Sequence, residues 1–272
     1  MTGPLDDVEY PTARGTDREG REVAVVVCSH GNERSGKVAV DCLLRADPEF
    51  TAPVRFLVGN ERALTAGRRF TEGGTDLNRS YPGDPAGETY ERRRAAELLD
   101  TVAGARVLDV HATHSTPTPF VTLQEVTAET VALARATGVE RVVDIGHVGG
   151  ALIGHVEGVA LEVGPAGTPE AVAAANAHLC NFLGAVGAAN FDGVETDPTL
   201  FRVEGTVGDG TEEFVGTNFQ RVEVGETYAV DDGGPVRAEE PFYPVLMSDS
   251  GYDDKLGYSA VRVGSLSSVP VE

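Results

Sequence analysis

His30 and Glu33 stand three positions apart in His30-Gly31-Asn32-Glu33, immediately after the apolar run Val23-Ala-Val-Val-Val27. An imidazole and a carboxylate at that spacing on one loop can turn toward a common point, and Gly31 lets the backbone bend tightly between them. Two histidines and one glutamate are a common protein ligand set for catalytic zinc, with a fourth position left for water. The second histidine is found at His111, which ends the apolar run Arg106-Val-Leu-Asp-Val110. H-x-x-E alone is a weak pattern, and a single histidine at a strand end is more simply a hydrogen-bonded structural side chain. Two such stations with a carboxylate beside one shift the reading toward one metal ion per chain.

Around this set lie other groups. Asp109 precedes His111 by two residues and can orient an imidazole from behind, or it can cap a neighbouring turn. Glu162 interrupts the apolar run Val159-Ala-Leu-Glu-Val163. Carboxylates are rarely buried unless paired or functional. Near a metal site Glu162 fits a general base, whose pKa burial raises and nearby positive charge lowers; the competing reading is a partly exposed strand end. Arg69, Asn78 and Arg79 lie in a loop dense in Arg, Gly and Asp. Arginine grips carboxylates through paired hydrogen bonds, so anion recognition and surface ion pairing both stay open for them. His114, His147, His155 and His178 have no partner at metal spacing, although His114 can line a pocket.

The elements that must position these residues follow from periodicity. Residues 23–29 are an unbroken apolar, β-branched run, which reads as a parallel-sheet strand buried on both faces. In open α/β sheets ligands bind just beyond the carboxyl ends of strands. A helix is expected over about 36–46, with Ser35 as N-cap and Val38, Cys42 and Leu43 as its apolar positions. Further strands are expected at 54–58, 106–110, 120–123, 142–145 and 159–163. Helices are expected at about 88–103, 127–137 and 168–187, the last opened by Thr168-Pro169. Residues 59–87 show little periodicity; so long a loop in an α/β domain is functional or disordered. The helix–strand alternation stops near residue 190. The expected fold is therefore α/β, a mostly parallel mixed sheet flanked by helices over 1–190, followed by a smaller β-rich C-terminal domain over 191–272 with turns at 208–210 and 231–234.

The chain of 272 residues carries 43 acidic and 22 basic side chains, a net charge of -21. Nucleic acid and anionic membranes both repel such a surface. Only Lys37 and Lys255 among the basic residues are lysine, and a high acidic load with so little lysine suggests adaptation to strong salt, where screening relieves self-repulsion. Cys28, Cys42 and Cys180 are read as small apolar packing residues without a disulfide framework, which fits a reducing cytoplasm. The acidic start Met-Thr-Gly-Pro-Leu-Asp-Asp does not read as a signal peptide, and no window approaches the ~20 apolar residues of a membrane span. A homo-oligomer stays open.

Taken together, His30-Gly-Asn-Glu33, Arg69, Asp76-Leu-Asn-Arg79, Asp109-Val-His111 and Leu161-Glu162-Val-Gly-Pro165 resemble the aspartoacylase/succinylglutamate desuccinylase family, a relative of the zinc carboxypeptidases. The motifs keep the family's order over about 30–165. The resemblance implies one zinc held by His30, Glu33 and His111, with Glu162 acting on the attacking water and Arg69 polarising the scissile carbonyl. It implies that Asn78 and Arg79 hold the substrate carboxylate, with Tyr252 in the position of a late substrate-binding tyrosine. The expected activity is zinc-dependent hydrolysis of an N-acyl amino acid. Alternatives are a desuccinylase, a carboxypeptidase-like enzyme, or a non-catalytic binder of an acidic small molecule. The family's Tyr and Arg ahead of the Glu-Val-Gly-Pro motif have no counterpart in Gly146–His155.

Overall fold

The computed structural model describes residues 8–10, 21–146, 148–249 and 254–271. Strand β2 (Val23–Val27) is buried at every position and pairs in parallel with β3 (Val54–Val58) on one side and β4 (Arg106–His111) on the other. Strand β4 pairs in parallel with β7 (Gly158–Glu162). The short β1 (Val8–Tyr10) closes the β3 side antiparallel. Beyond β7 the sheet continues through β5 (Phe120–Leu123), which runs antiparallel to β7, and β6 (Arg141–Asp144), which runs parallel to β5.

The sheet does not stop where the helix–strand alternation stops. Strand β8 (Thr199–Val207) pairs in parallel with β6, and β13 (Gly257–Ser265) and β12 (Tyr243–Val245) follow antiparallel, giving ten strands in one sheet. Among the described residues, β9 (Glu213–Phe214), β10 (Thr227–Asp231) and β11 (Gly234–Arg237) form a separate three-stranded sheet. The part of the chain beyond residue 190 is β-rich, as expected, and three of its strands extend the main sheet.

Helices cover both faces. Helices α1 (Ser35–Arg45), α4 (Ala128–Ala136) and α5 (Pro169–Ala185) pack together over a core that includes Val25, Val27, Leu108, Val110, Val159 and Leu161. Helix α3 (Tyr90–Thr101) lies on the other face, where Ala95 and Leu98 meet Ala24, Val26, Leu57 and Val107. Burial of each such valine or leucine side chain contributes about 1.5–3 kcal/mol. Strand alternation therefore sends Leu108, Val110, Val159 and Leu161 to the first face, and Asp109, His111, Ala160 and Glu162 to the second.

Several local expectations change. Strand β2 ends at Val27, because Cys28 turns into the left-handed region with φ 56°. Helix α1 begins at Ser35, so its N-cap is Arg34, without a side-chain cap. Its inward positions are Gly36, Ala39, Val40 and Leu43, the set that shares a helical face; Val38 is 40% exposed and Cys42 is exposed, one turn apart on a different face. Cys42 is thus not a packing residue. The stretch 59–87 is more ordered than its lack of periodicity suggests, with helix α2 (Glu61–Ala66) capped by the Asn60 side chain and a 3₁₀ turn at Leu77–Arg79. Thr168 caps α5 with Pro169 in its first turn, as expected. No helix among the described residues is long and apolar enough to cross a membrane.

Candidate metal centre and its cleft

The turn at Cys28 carries Ser29–Glu33 back over the carboxyl ends of β2 and β4. Gly31 is required there: a Cβ on it would lie 2.0 Å from the backbone of Ala63 in α2. Ser29 Oγ donates to Asp109 Oδ1 at 3.0 Å, tying this loop to β4. His30, Glu33 and His111 are all buried, and one donor atom from each lies within 4.8 Å of the others. The structure therefore brings together the three side chains expected at one point.

Their orientation is fixed from behind. His30 donates through Nε2 to Asp76 Oδ1 at 3.0 Å, and His111 donates through Nε2 to Asp109 Oδ2 at 2.9 Å. The Nδ1 atoms therefore face inward, 2.7 Å and 3.0 Å from Glu33 Oε1 and Oε2. Carboxylates behind imidazoles in this way hold the tautomer and ring orientation of metal-binding histidines. Two imidazole nitrogens at such distances from one carboxylate require positive charge among them, supplied by protons or by a metal ion. In the bare chain protons supply it. Burial disfavours charge on His30, but Glu33 and the hydrogen bonds to Asp76 and Glu33 raise its pKa; for His111, Asp109 and Glu33 overcome burial and raise it well above the usual range. Burial likewise opposes charge on Glu33, yet the His30 charge and hydrogen bonds from both imidazoles hold its carboxyl well below the usual carboxylate range. The donor set, two nitrogens and a carboxylate in a closed buried cluster, suits zinc.

Glu162, at the end of β7, stands beside His111, its register partner on β4. Its Oε2 is buried with no hydrogen-bond partner, and burial pushes the carboxyl up to about 7, with His111 and His30 working in the opposite direction. A buried carboxylate oxygen left without a partner next to three metal-type donors is a feature typical of functional sites.

Arg69 is poised over the cluster. Its Nε and Nη2 both donate to Asp76 Oδ2, at 3.1 and 2.9 Å, and Nη1 lies 3.5 Å from Glu33 Oε1. The Asn78 amide lies 3.1 Å from His111 Nε2, with its Oδ1 buried and unpartnered. Arg79 is exposed at the rim, where Nη1 donates to the Asn78 carbonyl at 2.8 Å. His114 lines the cleft. His155 stacks near Tyr81 and His178 Nδ1 lies 2.9 Å from the Thr137 carbonyl, so neither joins the cluster. Tyr252 and His147 lie outside the described residues.

Two carboxylates without an assigned role in the sequence do much of the positioning. Asp76 joins His30 to Arg69, and it accepts from the Asn78 backbone N–H at 2.8 Å. Burial opposes its charge, but His30 and Arg69 hold its carboxyl far below the usual range. Glu91, fully buried in the first turn of α3, accepts from Thr71 N at 2.8 Å, Thr75 N at 3.3 Å and Asn60 Nδ2 at 3.1 Å. It pins the loop that runs from Arg69 to Asp76. In sequence it looks like any helical glutamate of Tyr-Glu-Arg-Arg-Arg; its only signal is a first-turn position facing a long loop.

These groups open into a cleft of about 730 Å³. Residues 19–182 match the succinylglutamate desuccinylase/aspartoacylase catalytic domain. Among solved structures, the chain is similar to the ectoine utilization protein EutE (DoeB) of Ruegeria pomeroyi at 22% identity and a TM-score of 0.71, covering 89% of this chain and 85% of that one. A succinylglutamate desuccinylase/aspartoacylase from Rhodobacter sphaeroides gives 22% identity and a TM-score of 0.70, with 90% and 85% covered. A mutant of murine aminoacylase 3 gives 19% and 0.68, with 91% and 96% covered. The sequence matches no curated protein.

Proposed function

The chain belongs to the succinylglutamate desuccinylase/aspartoacylase family, and from that footing we propose that it is a zinc-dependent hydrolase cleaving the amide bond of an N-acyl amino acid. The observation that carries the proposal is the convergence of His30, Glu33 and His111 beside a buried, unpartnered Glu162 oxygen. His30 and His111 would hold zinc through Nδ1, with the Glu33 carboxylate as third ligand. Bound there, zinc acts as a Lewis acid on the amide carbonyl and makes water nucleophilic near neutral pH.

The chain's own residues do the rest. Glu162 takes a proton from water as its oxygen attacks the carbonyl carbon, then delivers that proton to the amine nitrogen as the C–N bond breaks. Arg69 donates to the carbonyl oxygen as negative charge grows on it, a contact of a type worth about 3–4 kcal/mol. Asp76 keeps that guanidinium aimed at the cluster. Asn78 and Arg79 at the rim hold the substrate carboxylate and align the amide with Glu162.

Elemental analysis combined with a panel of acetyl-, succinyl- and peptide-linked amino acids tests the proposal. One zinc per chain and release of free amine from an N-acyl amino acid are expected. Protein isolated without metal, and inert with zinc added, would instead indicate a non-catalytic binder. Succinyl substrates turned over in preference to acetyl ones would make it a desuccinylase.

A further inference from the structure

The cleft is lined by polar groups, among them Arg69, Asn78 and Arg79, and by an apolar wall of Ile145, Val148, Ala151, Ile153, Ala160 and Leu246. Ile145, Ala151, Ile153 and Ala160 are 8%, 9%, 5% and 6% exposed and share a cluster with Phe120, Val143 and Phe201, so this wall is the outer layer of a packed core. Ala160 lies on the same sheet face as Glu162, two residues along β7, with Thr122 of β5 beside it. Both side chains are small, which leaves the cleft floor low next to the Glu162 carboxylate. The apolar stretch also abuts the polar side. Gly150 sits so close to Arg79 that a Cβ on it would lie 2.9 Å from the Arg79 Cα, and the Gly150 carbonyl accepts from Tyr81 N at 3.3 Å.

We propose that this wall receives an uncharged, apolar side chain on the amino-acid half of the substrate, so that the enzyme acts on N-acyl derivatives of aliphatic or aromatic amino acids. The inference rests on the reading in which Asn78 and Arg79 hold the substrate carboxylate. With the carboxylate there, the side chain on the same carbon falls beside residues 148–153 rather than across the cleft. A second carboxylate in that place loses its water, and burial of an unpaired charge is strongly unfavourable. Lys255 also lines the cleft, with its Nζ 6.0 Å from the centre of the Tyr258 ring, and its charge is taken up by Asp254 at 2.7 Å. An apolar side chain buries its surface against Ile145 and Ile153 at no such cost, and selection among apolar groups then follows size.

The test uses the full chain loaded with zinc, and its Glu162→Gln variant for binding without turnover. N-acetyl-L-leucine, N-acetyl-L-phenylalanine and N-acetyl-L-aspartate are compared by amine release on the first and by calorimetry on the second, with N-hexanoylglycine as a long-acyl control. The leucine or phenylalanine derivative is expected to exceed the aspartate derivative at least tenfold in both kcat/KM and affinity. Val148→Lys, at a half-buried position, is expected to narrow that ratio at least threefold. Equal or better use of the aspartate derivative overturns the inference, as does a rate that follows acyl length and ignores the amino acid. If none of the four compounds is bound or hydrolysed while a succinyl- or peptide-linked amino acid is, this inference fails and the hydrolase reading stands; if no amide of either set is hydrolysed, both fail.

Discussion

His111 and Glu162 are opposite one another on adjacent parallel strands, so an inward imidazole and an unpartnered carboxylate leave the same face of the sheet side by side. Glu162→Gln is expected to retain zinc while kcat falls by about 10²–10⁴, the usual scale of general acid–base catalysis. Metal content and turnover measured on one preparation check this, and loss of less than tenfold would assign the proton transfer elsewhere. Burial pushes this carboxyl up to about 7 in the bare chain; a cation at the neighbouring donors lowers it again. The acid limb of kcat/KM in the zinc-loaded enzyme is accordingly expected below pH 7, with activity rising as pH rises through it.

The donor cluster was legible because it sits at ends of apolar, β-branched runs, where composition changes abruptly at Ser29 and again after Val110. Long-range pairing was not legible. Nothing local says that β5 slots antiparallel beside β7, or that β8 continues the main sheet. In α1, Val38 and Cys42 are apolar yet point outward, while the smaller Gly36 and Ala39 face in; a Cβ on Gly36 would lie 2.9 Å from the Val110 side chain, so the helix lies too close to the sheet there for a larger residue. Glu91 escaped notice since its partners are backbone N–H groups of a loop, which leave no pattern in sequence.

Removal of zinc is expected to make stability depend on pH in a defined window. His30 and His111 have raised pKa values in the metal-free chain, against an ordinary value of 6.5. Their contribution is complete below that value and is lost as pH rises through the raised ones. Glu33 has a lowered value against an ordinary 4.5, so its contribution is complete above 4.5 and is lost as pH falls through the lowered one. The Tm of chelator-treated protein should therefore be highest between about 4.5 and 6.5 and fall on the alkaline side, where added zinc restores it. A flat Tm from pH 5 to 9 would contradict the charge assignment.

Asp76→Asn removes the anchor shared by His30 and Arg69. By analogy with other partners behind metal ligands, zinc affinity should fall about 10–100-fold. Because Arg69 also loses the charged oxygen that accepts from both its Nε and Nη2, kcat at saturating zinc should drop as well, which a role confined to metal binding does not predict. Competition with a zinc chelator and kinetics at several zinc concentrations separate the two effects.

Glu91→Ala leaves the N–H groups of Thr71 and Thr75 and the Asn60 amide without their acceptor. The expected loss is about 2–4 kcal/mol of stability, the scale of breaking a buried charged network. Chemical denaturation measures it, and faster hydrogen exchange at Thr71 and Thr75 would locate it in the loop.

A net charge of -21 with only two lysines predicts that salt stabilises the chain. Tm should climb between dilute buffer and molar potassium chloride, and more steeply than for a variant with several exposed glutamates changed to glutamine. A protein equally stable in both would show that self-repulsion is already neutralised within the fold.

Strand β6 finds its outer neighbour in β8, whose first residue is Thr199, and the family match ends at residue 182. A fragment trimmed to the matched span would present Arg141–Asp144 as a bare edge, open to pairing with another copy. It would also lose Leu246 and Tyr258 from the cleft. Any minimal version of this enzyme must therefore keep its final third, or it will trade a substrate pocket for a tendency to self-associate.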